Sequence, residues 1–172
     1  MKKTITLLAV FILVICLSGC GSGLTTAYGE PINELAEAVA SGDADDYLDA
    51  FEDDYIDRLE EYYNIISDKG LEATVAETLL FTREYNKENY GNFTKITLTE
   101  VSKTSLDDFP ADAVYSGDFK PDGKVGEILS VTVSYVIEGT IGSSEEKTAT
   151  FTVYSVDGEY YLHPVHFFFV FQ

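Results

Sequence analysis

The sequence predicts an α+β domain, with helices first and an antiparallel sheet of about four strands after them. Three observations predict it. Apolar residues recur every three or four positions up to about residue 86, the period of helix faces. Beyond Gly91 and Asn92 the apolar period drops to two, the period of strands. Asp157-Gly158 stands between two apolar runs, a two-residue hairpin signal that joins antiparallel neighbours.

Each element has its own signal. Pro31 suits a first helical turn, and Ile32, Leu35, Ala36 and Val39 follow at i, i+3, i+4, i+7. Gly42 ends that helix and Asp43 can cap the next through its carboxylate. Leu48, Phe51, Tyr55, Leu59, Tyr62 and Ile66 then predict one long helix with an apolar face of about five turns. Gly70 is a stop, and Leu71, Val75 and Leu79 mark a third helix from Leu71 to about Asn86. Phe93 to Val101 reads as a strand. Residues 104–124 hold Asp107, Asp108, Pro110, Pro121, Asp122 and Gly123, which predicts a loop or an excursion. Leu129, Val131, Val133, Tyr135 and Ile137 alternate with polar residues in the clearest strand. A turn at 139–144, a strand at Ala149 to Val156 and a last strand from Glu159 to about Phe169 complete the sheet. Leu48, Phe51, Tyr55, Leu59, Val131, Val133, Phe151 and Val153 are the expected core.

The first twenty residues say where the protein resides. Lys2 and Lys3 precede an apolar run from Ile5 to Leu17, too short to span a bilayer comfortably, and Leu17-Ser18-Gly19-Cys20 follows. A cysteine directly after small residues resembles the bacterial lipoprotein signal. The resemblance implies cleavage before Cys20, a diacylglyceryl group on its thiol, and residence at the outer face of a bacterial cell membrane. Two acyl chains suffice for stable anchoring. The chain then divides into a signal peptide (1–19), a lipidated flexible tether (20–30) and one domain (31–172). Cys16 leaves with the signal, so the mature chain has one cysteine and no internal disulfide.

Removing residues 1–19 removes two lysines and no acids, so the formal charge of −19 becomes −21. Such a surface repels nucleic acid, which excludes that partner. From Glu30 to Glu61 there are thirteen acids and one base, Arg58. Asp46, Asp49, Asp53 and Asp57 are the candidate acidic face, which could dock something cationic; a solvated helix face is the simpler account. Twelve tyrosines and eleven phenylalanines argue for a packed domain or a pocket. Tyr47, Tyr55 and Tyr62 are the candidate pocket-lining residues.

The run Pro31-Ile32-Asn33-Glu34-Leu35 through Ser41-Gly42-Asp43-Ala44-Asp45-Asp46-Tyr47-Leu48-Asp49-Ala50-Phe51 is similar to the openings of small bacterial lipoproteins of the nuclear-transport-factor-two-like fold. Val156-Asp157-Gly158-Glu159-Tyr160-Tyr161-Leu162 resembles their closing hairpin, where a Trp often stands in place of Tyr160. The resemblance covers roughly residues 31 to 168. It implies a cone of curved sheet wrapped around a long helix. Proteins of that fold include isomerases, dehydratases, transport adaptors and proteins without an assigned activity, so fold alone does not choose a function.

His163 and His166 are the only histidines and the catalytic candidates. Residues three apart on a regular strand face opposite ways, so they share a site only if Pro164 bends the chain. A Tyr beside an Asp is the isomerase-type alternative, with no pair assignable. Asp43-Ala44-Asp45-Asp46 and Asp53-Asp54 lack the glycine and glutamate of a calcium-wrapping loop. No metal or other cofactor is expected. The favoured function is a non-enzymatic, membrane-anchored domain that binds a ligand or protein partner. The alternatives are an isomerase- or dehydratase-like enzyme on a small hydrophobic substrate, and sequestration of a cationic peptide. Phe167-Phe168-Phe169-Val170-Phe171 would give a last strand two apolar faces, which suggests cover by the excursion, a ligand or a homodimer.

Overall fold

The computed structural model describes residues 23–110 and 119–172; residues 1–22, with the expected signal and Cys20, and the middle of the excursion lie outside the described residues. Four helices precede a four-stranded antiparallel sheet, curved and unclosed: α1 (Glu30–Ser41), α2 (Ala44–Asp49), α3 (Asp53–Ile66), α4 (Gly70–Tyr90), β1 (Phe93–Ser105), β2 (Val125–Gly139), β3 (Lys147–Val156) and β4 (Glu159–Leu162). The spatial order is β1-β2-β3-β4, so sequence neighbours pair throughout. Single 3₁₀ turns lie at Ala27–Gly29 and Pro164–His166.

The first helix forms as its pattern demands. Ile32, Leu35, Ala36 and Val39 are all buried, and each large apolar side chain so buried contributes about 1.5–3 kcal/mol. Gly42 closes the helix at φ 82°, a left-handed position that a Cβ makes costly. The Asp43 carboxylate accepts the Asp45 and Asp46 N–H groups at 3.0 and 3.4 Å, capping α2.

The expected long second helix is two helices. The first ends at Ala50, still at φ −67° and ψ −9°, and Glu52 is extended at φ −63° and ψ 132°. The Ala50 carbonyl accepts the Leu162 N–H of β4 at 2.9 Å, which diverts it from a continuing helix. Phe51 is buried at this corner. Beyond it the apolar stripe runs out: α3 has no buried residue, and Tyr62 and Ile66 are exposed. Tyr55 and Leu59 are partly buried against the core. Helix α4 buries Leu71, Val75, Leu79, Thr82 and Asn86 and runs one turn beyond the expected end.

In the sheet, Ile96 opposes Ile137, Leu98 opposes Tyr135, and Val131 opposes Phe151. Leu129, Val131, Val133, Phe151 and Val153 join Leu48 and Phe51 in the main core. Asp157 (φ 52°) and Gly158 (φ 101°) make the tight hairpin read from sequence.

The last strand stops at Leu162, not near Phe169. Pro164 has no N–H to donate and opens a 3₁₀ turn, which sends the tail off the sheet. The alternation expected of the tail therefore fails. Phe167 and Phe171 are buried, Phe169 is partly buried, and Phe168 is exposed. The tail packs between helices and sheet: the Phe171 ring meets Tyr135 and Phe151, and its carbonyl accepts the Asn86 side-chain N–H at 3.3 Å. A strand with two apolar faces, the premise of the homodimer expectation, is not formed.

The N-terminal side differs as well. The expected tether over 20–30 is bound to the body from Leu24 onward. Leu24 packs against the core, and Ala27–Gly29 is a 3₁₀ turn.

Candidate functional site

Pro164 bends the chain as a shared histidine site requires, and both imidazoles turn inward. His163 is 1% exposed. Burial pushes its pKa down to about 4. Burial, with His163 adding repulsion, pushes His166 down to about 4 as well. Each ring accepts a backbone proton, which only an unprotonated nitrogen can do. His163 Nδ1 accepts the Val165 N–H at 3.3 Å, and His166 Nε2 accepts the Thr152 N–H at 2.8 Å. Thr152 belongs to β3 at the point where β4 has ended, and the His163 N–H donates to its carbonyl at 2.9 Å. His166 thus supplies the acceptor that a longer β4 would have offered.

A polar pair that the sequence does not mark lies next to His163. Glu52 is 6% exposed. One carboxylate oxygen accepts the Tyr154 hydroxyl at 3.0 Å and the other accepts the Asp122 N–H at 3.1 Å. Burial, then the Glu52 charge and hydrogen bond, hold the Tyr154 phenol far above its usual range. Phe109 and Phe119 enclose the group. Phe109 lies 5.1 Å from His163 and 5.4 Å from Tyr154, and Phe119 lies 5.4 and 5.6 Å from the same rings. A general base needs a lone pair aimed at substrate. Here both Glu52 oxygens and one nitrogen of each imidazole already hold donors of the protein. The cluster ties the returning end of the excursion, at Asp122, to β3.

The three candidate tyrosines separate. The buried Tyr47 hydroxyl donates to the Phe167 carbonyl, with the Phe169 carbonyl 3.2 Å away. Burial, with a smaller effect of Tyr55, raises its pKa strongly. Tyr55 is half-buried between Phe119 (5.8 Å) and Phe167 (5.9 Å), and burial chiefly pushes its phenol up to about 12. Tyr62 is 55% exposed and lines no interior, which corrects its assignment. Tyr62 is the fifth residue of the apolar stripe, and α3 has left the core by that point, beyond the Ala50 break. The space that Tyr47 and Tyr55 would line is filled by Phe51 and Phe167, whose rings sit 5.2 Å apart.

Asp46, Asp49, Asp53 and Asp57 are all exposed, as an acidic face requires. The structure adds Glu34 of α1. Burial raises its pKa, and Glu30, Asp49, Asp46 and Glu37 raise it further, so acids of α1 and α2 crowd one corner. Glu30, Glu34 and Glu37 stand at i, i+4, i+7 and share a helix face, a signal present in the sequence. Asp53 sits elsewhere, near Tyr161, whose phenol is pushed up to about 12 by burial and Glu159 first and by Asp53 in smaller part. Among the described residues, the ion pairs Lys69–Glu77, Lys87–Glu84 and Lys95–Glu138 include no acid between Glu30 and Glu61.

An open groove of about 540 Å³ runs between the exit segment at Gly23–Thr25, α1 and β1, with Glu37 and Lys95 among its lining residues. Among the described residues, no group of three or more His, Cys, Asp and Glu side chains could hold a metal ion. No described helix is long and apolar enough to cross a membrane. No family model, curated protein or solved structure matches the chain.

Proposed function

We propose that this chain is a lipid-anchored domain at the outer face of a bacterial cell membrane, held through Cys20, that binds a cationic ligand or partner and does not turn over a substrate. The observation that carries the binding reading is the crowded corner of Glu30, Glu34, Glu37, Asp46 and Asp49, which has no ion-pair partner among the described residues. Gathering like charges costs free energy that a bound cation recovers, and the cost is screened by salt. The interior offers less, because Phe51, Phe167 and Phe171 fill it and the Glu52, His163 and His166 acceptors already hold donors of the protein. A lysine-rich peptide titrated into the soluble domain, the chain without residues 1–20, tests the reading. Affinity should fall steeply between low and high salt, and Glu34→Gln with Asp46→Asn and Asp49→Asn should weaken it severalfold. Binding indifferent to both would remove the corner as the site.

A second reading draws on the meeting of Tyr154, Glu52 and His163 under Phe109 and Phe119: an isomerase- or dehydratase-like enzyme acting on a small hydrophobic molecule. It requires Glu52 to exchange the Asp122 N–H for a substrate group. Saturable shifts of the His163 and Tyr154 NMR signals on adding a small enone would favour it. Unchanged signals at saturating concentration would count against it.

A further inference from the structure

We propose that the lipid anchor holds one particular face of the domain against the bilayer: the strip made by residues 23–26 and by residues 98–103 of β1. The proposal rests on the reading of Cys20 as the lipidated residue. It adds which surface meets the membrane, and the partner it names is the headgroup layer of the leaflet that carries the anchor.

The first observation is a two-point clamp. The Leu24 N–H donates to Asn33 Oδ1 at 2.8 Å, and Asn33 Nδ2 donates back to the Leu24 carbonyl at 2.8 Å. Asn33 sits in the first turn of α1, close to Ile32 and Leu35, both 0% exposed, so the clamp is fixed to the core. Gly23 lies against the same amide; a Cβ there would meet Asn33 Oδ1 at 2.8 Å. The chain is fastened further by Tyr28. Its hydroxyl donates to Glu100 at 2.9 Å, its ring meets Tyr160 at 6.4 Å, and the Lys103 ammonium lies 4.5 Å over its face. The point where the chain leaves the body is therefore set by side chains of α1, β1 and β4.

The second observation is chain length. Three residues of chain connect the Cys20 and Gly23 Cα atoms. Fully extended they reach at most about 11 Å, from about 3.3–3.6 Å per residue. The headgroup layer of one leaflet is about 5–7 Å deep, from the difference between a bilayer's full and hydrocarbon thickness. The clamp thus lies within a few ångströms of the layer in any conformation the connection takes.

The third observation is the chemistry of the strip. Val101 is exposed at an irregularity of β1, between Glu100 and Ser102, where the register with β2 shifts. Tyr28 pairs an apolar ring with a polar tip, the residue type suited to a membrane interface. Within the strip Glu100 and Lys103 both lie against Tyr28, so its charges are of mixed sign. Headgroup charges act over a Debye length of about 8 Å at physiological salt. A strip of mixed sign tolerates that distance, whereas Asp46 and Asp49 of α2, crowded with Glu34, would be repelled from an anionic leaflet.

The test uses the lipidated protein in phosphatidylcholine vesicles containing a headgroup-labelled acceptor lipid. Acylation leaves Cys20 without a free thiol, so a thiol-reactive dye marks only an introduced cysteine: Thr99→Cys in the strip or Ile65→Cys at the end of α3. The dye at position 99 should transfer energy to the acceptor and lose most of its quenching by aqueous iodide. The dye at 65 should do neither. Inserting a long Gly/Ser segment between Ser22 and Gly23 should bring the two positions to equal quenching. Equal quenching in the unaltered protein, with the protein still floating with vesicles, overturns the apposition alone. Protein that does not float overturns the lipidation reading and this inference with it.

Discussion

Phe171 tests whether the interior is filled by the chain's own end. Its side chain is 0% exposed and its ring meets Tyr135 at 5.0 Å, Phe169 at 5.1 Å and Phe151 at 6.1 Å. Phe171→Ala removes a fully buried ring and leaves a cavity, a change that costs about 3–5 kcal/mol. A domain of this length loses about 3 °C of melting temperature per kcal/mol, so the variant should melt about 10–15 °C lower. Phe168, in the same apolar run, is 51% exposed. Its truncation to Ala should cost about 1 kcal/mol, half the burial of such a ring. Thermal melts of the soluble domain, followed by near-ultraviolet circular dichroism, compare the two directly. Equal melting temperatures for Phe171→Ala and the unaltered domain would refute the packing of the tail. A larger loss at Phe168 than at Phe171 would reverse which residues face inward.

Tyr154→Phe leaves one oxygen of the buried Glu52 without its donor and should cost about 1–3 kcal/mol, read by urea unfolding; an unchanged midpoint would mean that the bond is not formed. Acid should loosen the tail. His163 and His166 have folded pKa values near 4, below the ordinary 6.5. Their contribution is complete above pH 6.5 and is lost as pH falls from 6.5 through 4, because the unfolded chain takes up the protons first. At pH 5 the loss is about 1–2 kcal/mol for His163, and His166 adds in the same direction. A His163→Gln, His166→Gln variant should lack that part of the pH dependence; the same slope in the variant would assign it to other groups. Asp43→Ala removes the cap of α2 and should cost about 0.5–2 kcal/mol, with Asp43→Ser retaining most of the stability.

Local chemistry was readable from sequence wherever it alone decides. Gly42 and Asp43 were legible as stop and cap because one needs a left-handed φ and the other a carboxylate beside free N–H groups. The Asp157-Gly158 hairpin and the alternation of β2 followed from turn chemistry and strand period. The break at Ala50 carries no glycine or proline; it arises because β4, far along the chain, takes the Ala50 carbonyl. The exposure of Tyr62 and Ile66 follows from that break. The course of the tail is not legible because Phe167 to Phe171 suit a strand, and only the missing N–H of Pro164 marks the end of the ladder. Of the candidate site, the acidic residues and the bend between the histidines were legible. Glu52 was hidden among thirteen acids, since nothing in its neighbours separates it from the exposed Asp53 and Asp54. The Asn33 clamp was equally silent, because a side-chain amide nine residues from its partner leaves no periodic trace.

The proposed anchored binding domain depends first on Cys20. Intact-mass spectrometry of the protein extracted from bacterial membranes tests it most directly. The expected result is a mature chain that begins at Cys20, with the mass of a diacylglyceryl group on that residue. A membrane-bound chain that retains Met1, or one that begins at Cys20 with a free thiol, would contradict it.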